Sequence, residues 1–108
     1  MSEAPTLFLS DDYLYRFGGI ARLYGLTALK KFRQSHVAVI GIGGVGSWAA
    51  EALVRSGVGC ISLFDLDDIC VSNVNRQVHA LNSTVGQMKV EAMAHRLKDI
   101  NPELQVNS

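Results

Sequence analysis

Six consecutive residues, Gly41 to Gly46, have the spacing of a turn that binds a phosphate group. In such a G-x-G-x-x-G turn the missing side chains let main-chain N–H groups approach the anion, and a helix that begins there adds the positive end of its dipole. Asp65 follows Gly46 by 19 positions, where a carboxylate accepts hydrogen bonds from ribose hydroxyls. The spacing therefore predicts a nucleotide site with Asp65 at the ribose. The predicted phosphate-binding residues are Gly41, Gly43, Gly44 and Gly46.

Two cationic side chains, Arg76 and Lys89, follow the predicted ribose-binding position. An arginine presents a planar fork to phosphate oxygens, and a lysine supplies a mobile point charge. Because a triphosphate needs such positive charge more than a nicotinamide cofactor does, the pair favours ATP. Taken singly, Arg76 also fits an ordinary loop ion pair and Lys89 a solvated helix position. A nicotinamide-binding oxidoreductase module stays open on the glycine pattern.

A strand, a helix and a second strand are predicted around the glycine turn. Residues 36–40 form an apolar, β-branched run, which is typical of a parallel strand covered on both faces. Residues 47–56 predict a largely buried helix that ends before Gly57, and residues 61–64 predict the second strand. A strand–helix–strand unit of about 30 residues has a right-handed crossover. The pattern therefore predicts an α/β fold with a parallel sheet.

The rest of the chain extends this unit on both sides. Residues 1–10 predict a flexible tether, and residues 11–35 an N-terminal helical segment of two short helices broken at Gly18-Gly19 and Gly25. An apolar stripe is predicted there, on Leu23, Leu26, Leu29 and Phe32. A further helix over 87–100 and the start of a third strand follow. Residues 36–108 therefore predict the first, incomplete half of a Rossmann-like, doubly wound ATP-binding domain.

Composition excludes several classes of protein. The formal net charge is zero and no apolar run approaches the ~20 residues of a membrane span, so neither DNA binding nor a membrane segment is predicted. Cys60 and Cys70 lack the spacing of a zinc or disulfide framework, which favours a reduced, cytoplasmic protein. The stretch 16–33 is basic, and it predicts either a solvated helix face or a contact with RNA backbone.

Four ordered motifs together resemble the ubiquitin-activating-enzyme-like superfamily, which includes the adenylyltransferases of thiamine and molybdopterin biosynthesis. The motifs are Gly-Ile-Gly-Gly-Val-Gly (41–46), Phe-Asp-Leu-Asp-Asp (64–68), Ser-Asn-Val-Asn-Arg-Gln (72–77) and Val-Gly-Gln-Met-Lys (85–89). Residues 16–25 and 46–53 resemble most a bacterial branch of tRNA-modifying dehydratases. That resemblance implies a tRNA substrate, a homodimer, and a link to a cysteine desulfurase and its sulfur acceptor.

The resemblance also implies roles for individual residues. Arg76 and Lys89 would act catalytically on the phosphates of ATP, and an arginine of the partner subunit, Arg16 or Arg22, would complete the site. Mg²⁺ would be held by an aspartate beyond residue 108, and no metal ligand is predicted within the chain. The implied nucleotide-binding residues are Gly41, Gly43, Gly44, Gly46, Asp65, Asp67, Asn73, Arg76, Gln77 and Lys89.

The implied reaction is ATP-dependent adenylation of a carboxylate, the threonylcarbamoyl group of a tRNA adenosine, followed by ring closure with loss of AMP. This is a net dehydration, and we expect residues 1–108 by themselves to be inactive. Two alternatives besides the oxidoreductase module stay open. One is an adenylyltransferase that acts on the C-terminus of a sulfur-carrier protein, and the other is a non-enzymatic scaffold that binds such a partner.

Overall fold

A computed structural model describes residues 9–108, and its centre is a three-stranded parallel sheet in the order β1-β2-β3. Strand β1 pairs with β2 from His36 opposite Cys60 to Ile40 opposite Phe64. The predicted α/β fold with a parallel sheet is confirmed. The elements in chain order are α1 (Asp11–Tyr24), α2 (Leu26–Gln34), β1 (His36–Ile40), α3 (Gly46–Arg55), β2 (Cys60–Phe64), a 3-10 helix (Val71–Asn75), α4 (Lys89–Ile100) and β3 (Gln105–Asn107).

Helices α3 and α4 are the two crossovers, and they contact each other as well as β1 and β2. The main core lies between these helices and the sheet, because each helix turns its apolar side chains toward the strands. Helix α4 begins at Lys89, two residues later than predicted, since Met88 is extended with ψ 137°. The buried core residues are Val39, Ile42, Ala50, Val54, Ile61, Leu63, Val78, Met93, Leu97 and Leu104.

Two burial predictions are wrong for the described residues. In β1 only Val39 is buried, and Ile40 is 83% exposed, because β1 pairs on one edge and is covered on one face. In α3, Trp48 is 52% exposed, since the helix packs against β1 and α4 but carries nothing on its outer face in this part of the chain. Both elements therefore leave apolar surface open.

The N-terminal helices differ in detail from their prediction. Helix α1 continues through Gly18-Gly19 with a kink at Phe17, and the chain breaks at Gly25, where φ is +97°. Because the break separates the helices, the predicted stripe is wrong: Leu29 is buried, but Leu23 and Leu26 are exposed. Residues 1–8 of the predicted tether lie outside the described residues.

Contacts just before the start of β2 attach α1 and α2 to the sheet. The Tyr13 hydroxyl donates to the main-chain oxygen of Gly57, and burial raises the pKa of Tyr13 to about 12. The Arg33 guanidinium lies over the Tyr13 ring at 5.2 Å from its centroid. A Cβ at Gly59 would lie 2.0 Å from the Arg33 carbonyl oxygen, so this close approach requires glycine. The first turn of α1 is capped by Ser10, whose hydroxyl accepts from the Tyr13 N–H. The helical segment is therefore packed against the sheet domain.

An ion-pair network joins the two crossover helices. Glu51 of α3 accepts two hydrogen bonds from Arg96 of α4, at 2.6 and 3.0 Å, and one from Arg55 at 3.0 Å. The bonds from Arg96 lower the pKa of Glu51 most, against the opposing effect of burial, and those from Arg55 add to the decrease. Arg96 is therefore the stronger of the two partners of Glu51.

We expect Glu51→Gln to lower the free energy of unfolding by about 1–3 kcal/mol, because it weakens hydrogen bonds to charged groups. Arg55→Gln is the matched control and costs less than about 1 kcal/mol, since Arg55 is largely exposed. Because the pKa of Glu51 is lowered in the folded state, its contribution is present above the ordinary pKa of a glutamate and is lost as the pH falls through the folded-state value. Urea denaturation at several pH values measures both effects. Equal losses for the two variants would contradict the network.

Candidate nucleotide-binding site

Residues 41–46, called the glycine elbow here, connect the carboxyl end of β1 directly to α3. Gly41 has φ +88°, and its N–H continues the sheet by donating to the Phe64 oxygen at 2.8 Å. A Cβ at Gly46 would lie 1.7 Å from the Gly41 oxygen. The sharp turn from strand to helix therefore requires glycine at both ends of the elbow.

Gly43 and Gly44, in the middle of the elbow, differ from the two glycines at its ends. A Cβ at Gly43 would come no closer than 3.8 Å to Gln77, and one at Gly44 no closer than 3.6 Å to Arg76. These are ordinary contacts, so the packing of the chain does not require glycine at either position. In addition, the N-cap residue of α3, Val45, provides no side-chain cap for the first N–H groups of the helix. The elbow thus presents open main-chain donors with the positive end of a helix behind them.

Asp65 lies directly beside the elbow. One carboxylate oxygen accepts from the Ile42 N–H at 2.7 Å, and the other accepts from the Asp67 N–H at 2.8 Å. Burial raises the pKa of Asp65, but these two hydrogen bonds and the charge of Lys89 outweigh it, so the pKa is lowered overall. Asp65 is therefore an ionised side chain that orders the elbow and keeps lone pairs for a ligand hydroxyl.

Arg76 approaches the elbow from the segment that follows the 3-10 helix. Its side-chain carbons lie 3.6 Å from the Cβ position of Gly44. The guanidinium Nη1 donates to the Ser72 oxygen at 3.2 Å and to the Asn75 side chain at 2.9 Å. Neither partner is charged, so the positive charge of Arg76 is not neutralised by these contacts.

Asn73 and Gln77, which precede and follow Arg76 in the sequence, are both buried. The Asn73 side chain accepts from the Cys70 N–H at 2.9 Å and so holds the start of the 3-10 helix. The Gln77 amide faces Gly43, and its Oε1 is buried without a hydrogen-bond partner among residues 9–108. Gln77 therefore has an unused acceptor near the elbow, whereas Asn73 shapes the segment.

Lys89 is the first residue of α4 and is only 7% exposed. Within the described part of the chain its ammonium makes no hydrogen bond and no ion pair within 4.0 Å. Its charge nevertheless lowers the pKa of both Asp65 and His79, the two side chains that contact Ile42 of the elbow. A lysine whose side chain is largely buried but whose ammonium has unused donors is suited to an anionic ligand. Asp67, by contrast, has an exposed side chain and contributes its main chain, whose oxygen accepts from the Lys89 N–H at 3.0 Å.

Two of the predicted site residues lie away from the elbow of their own chain. Arg16 pairs with Asp12 at 2.7 Å and donates to the Ile100 oxygen at the C-terminal end of α4. Crossover helices run opposite to the strands, so this is the amino edge of the sheet. The Arg22 side chain lies near Gly18 and Gly19 of its own helix. A role for either arginine in a partner subunit stays a prediction.

Three hydrogen bonds that the sequence did not predict connect the elbow region to the segment 76–79. Trp48 Nε1 donates to the Arg76 oxygen at 2.7 Å, and the Val78 N–H donates to Ser47 Oγ at 3.2 Å. The third is His79, whose Nε2 lies 2.8 Å from the Ile42 oxygen. His79 is a single histidine in a segment without periodicity, so no sequence pattern marks it. Its position two residues after Gln77 is the feature that could have indicated a place near the site.

An apolar depression of about 420 Å³ adjoins Asp65, with Leu63, Phe64, Leu66, Val90 and Ser108 as its other walls. Residues 9–108 contain no group of three or more His, Cys, Asp or Glu side chains arranged to hold a metal ion. No helix in that range is long and apolar enough to cross a membrane. The site therefore offers phosphate donors, a carboxylate and an apolar wall, without a cluster of three metal ligands among residues 9–108.

Residues 18–108 match the model of the ThiF family. The chain belongs to the ThiF family. It is 57% identical over 101 residues to tRNA threonylcarbamoyladenosine dehydratase of Escherichia coli K12, covering 94% of this chain and 38% of that protein. It is also 35% identical to the molybdopterin-synthase adenylyltransferase of the same organism, over 91% of this chain and 40% of the other.

A solved structure of E. coli tRNA N6-threonylcarbamoyladenosine dehydratase in complex with ATP has a TM-score of 0.91 to this ThiF-family chain. The two are 58% identical, and the match covers 93% of this chain and 41% of that one. The chain thus spans about two fifths of the length of these relatives. The family resemblance inferred from the four motifs is confirmed.

The two kinds of glycine predict different consequences of adding a methyl group. We expect Gly44→Ala to change the free energy of unfolding by less than about 1 kcal/mol, because its Cβ meets only ordinary contacts. Gly46→Ala forces the main chain to move and costs about 1–3 kcal/mol or more. Gly44→Ala nevertheless weakens ATP binding about tenfold or more, since it covers open donors. Thermal unfolding and calorimetric titration separate the effects, and equal stability of the two variants would refute this division.

Proposed function

We propose that the complete protein uses ATP to adenylate a carboxylate, the threonylcarbamoyl group of a tRNA adenosine, and then dehydrates it by ring closure. The observation that carries this proposal is the arrangement of open N–H donors at the elbow with two un-neutralised cations, Arg76 and Lys89. The high identity to dehydratases of this specificity supports the choice of substrate.

Each part of the candidate site suits a part of ATP. The N–H groups of Gly43 and Gly44, with the dipole of α3, suit the phosphates. Asp65 accepts from the ribose hydroxyls, and the apolar depression beside it suits the flat face of adenine. Arg76 and Lys89 bring positive charge to the phosphates from the other side.

The proposed chemistry needs no nucleophile from the protein. A carboxylate oxygen of the substrate attacks the α-phosphorus, the bond from that phosphorus to the bridging oxygen breaks, and pyrophosphate leaves. A nucleophilic group of the same substrate side chain then attacks the activated carbonyl carbon, loses a proton, and releases AMP. Fixed donors and cations accelerate such steps by holding the reacting atoms together and by stabilising the charge that develops on the phosphate.

Mg²⁺ accompanies ATP in reactions of this type, where it neutralises phosphate charge. The donor set of residues 9–108 does not fit a resident metal, because no cluster of suitable ligands is present there. We therefore assign no step to a metal held by these residues. We propose that an aspartate beyond residue 108 of the complete protein holds Mg²⁺.

We also propose the setting in which the protein acts. Residues 36–108 form part of a larger ATP-binding domain, in a cytoplasmic homodimer that acts on tRNA and is linked to a cysteine desulfurase and its sulfur acceptor. Arg16 and Arg33 already contact groups of their own chain, Asp12 and Glu103 respectively. The other cations of the stretch 16–33, which are Arg22, Lys30 and Lys31, are therefore better placed for RNA backbone.

Arg76→Ala and Lys89→Ala in the complete protein are each expected to reduce ATP–pyrophosphate exchange by about 100-fold or more, because each removes charge stabilisation in the transition state. Lys98→Ala is the matched control, since Lys98 is an exposed residue near the other end of α4. It should leave the exchange rate within about twofold. Full activity of both Arg76 and Lys89 variants would refute the assignment.

Two other functions would use the same glycine elbow, and the ligand or substrate that each requires distinguishes them. A nicotinamide-binding module would enhance NADH fluorescence and bind no ATP. The similarity to a molybdopterin-synthase adenylyltransferase favours, as second candidate, adenylation of a sulfur-carrier C-terminus. We expect pyrophosphate release that depends on threonylcarbamoylated tRNA. Release that depends on a sulfur-carrier protein instead would support the second candidate.

A further inference from the structure

His79 is a buried histidine that the proposed chemistry does not use. Its side chain is 1% exposed, and its Nε2 lies 2.8 Å from the main-chain oxygen of Ile42 in the glycine elbow. Because a carbonyl oxygen only accepts hydrogen bonds, Nε2 must carry the proton. The other ring nitrogen, Nδ1, is buried and has no partner among residues 9–108. Among residues 9–108, the hydrogen bond to the Ile42 oxygen is therefore the one that the ring makes.

The Ile42 main chain is held from two directions. Its N–H donates to Asp65 at the end of β2, and its oxygen accepts from His79 in the segment 76–79. The Ile42 side chain is itself fully buried. The elbow is thus fixed at its first non-glycine residue by two side chains that come from separate parts of the chain.

Fixing the Ile42 oxygen also fixes the donor of the next residue. The peptide bond between Ile42 and Gly43 is planar and trans, so the Gly43 N–H points opposite to the Ile42 oxygen. Because Gly43 has no side chain, its φ angle restricts the rotation of that peptide plane less than the φ angle of any other residue would. The hydrogen bond from His79 therefore sets the direction of the Gly43 N–H.

The surroundings of His79 keep its ring neutral. Burial lowers the pKa of His79 most, and the charge of Lys89 lowers it further, whereas the bond to Ile42 and the charge of Asp65 raise it. The net decrease is consistent with a neutral ring that has a single tautomer. This supports the geometry but is not needed for it.

We propose that His79 is a positioning residue, which aims the Gly43 N–H of the elbow at a phosphate of the nucleotide. This inference rests on the proposed function, since it requires a nucleoside phosphate at the elbow. It predicts that the group at the Nε2 position controls affinity for phosphates and leaves affinity for the nucleoside part unchanged.

Amide substitutions at position 79 test the proposal in the complete protein. Gln places its amide nitrogen near the position of Nε2, whereas Asn places its amide near Nδ1, so the pair differs in the donor position at similar polarity. We expect His79→Gln to bind ATP within about threefold of wild type and His79→Asn to bind it about tenfold or more weakly. Binding of adenosine, which has no phosphate, should change less than about twofold in both variants.

The Michaelis constants add a second readout. The loss in His79→Asn should appear in the KM for ATP, with kcat changed less than about threefold, because the donor acts on bound phosphate generally. Equal ATP affinity of the Gln and Asn variants, or a parallel loss of adenosine binding, would overturn the proposal. Absence of ATP binding by the wild-type protein would instead refute the proposed function itself.

A measurement on the wild-type protein covers the case in which a variant does not fold. The ¹⁵N chemical shifts of the His79 ring distinguish the two neutral tautomers. We expect the proton on Nε2 at neutral pH, with and without ATP. A proton on Nδ1 would overturn the proposal, because that tautomer cannot donate to Ile42.

Discussion

The close approach of Gly46 to the carbonyl of Gly41 is the constraint from which the rest of the site follows. Because no side chain fits between them, the chain turns from β1 into α3 without an intervening loop. The first turn of α3 is thereby brought to the carboxyl edge of the sheet, where Asp65 also emerges from β2. Open helix donors and a carboxylate meet there as a consequence of chain geometry. The site is thus a product of the fold before any ligand is present.

The segment 76–79 also stabilises this arrangement. Residues 76–79 contact the elbow and α3 through Trp48, Ser47 and Ile42, so Arg76 is carried on a segment that is itself tied to the donors it accompanies. Lys89 lies on a different element, at the start of α4, and its charge lowers the pKa of Asp65. The two cations are therefore carried by separate segments of the chain, and main-chain hydrogen bonds hold each segment in place. In the proposed reaction such pre-organisation would favour charge stabilisation, because the groups would not need to rearrange.

The sequence predicted the βαβ unit, the helix that begins near Lys89 and the position of Asp65, because these depend on local patterns of glycine and apolar residues. It did not predict the exposure of Ile40 and Trp48, since burial depends on which elements cover β1 and α3. It also missed His79 and Arg96, whose partners lie 37 and 45 positions away in the chain. Contacts at that range come from the topology of the sheet and leave no periodic signal. The four motifs, by contrast, were sufficient to identify the family.

A structure of the complete protein with a non-hydrolysable ATP analogue would locate the phosphates relative to the elbow. We expect phosphate oxygens within about 3.2 Å of the Gly43 or Gly44 N–H groups and of the Arg76 and Lys89 side chains. We also expect Asp65 to contact the ribose. An analogue bound elsewhere, or bound at the elbow with Arg76 and Lys89 both turned away from its phosphates, would contradict this expectation.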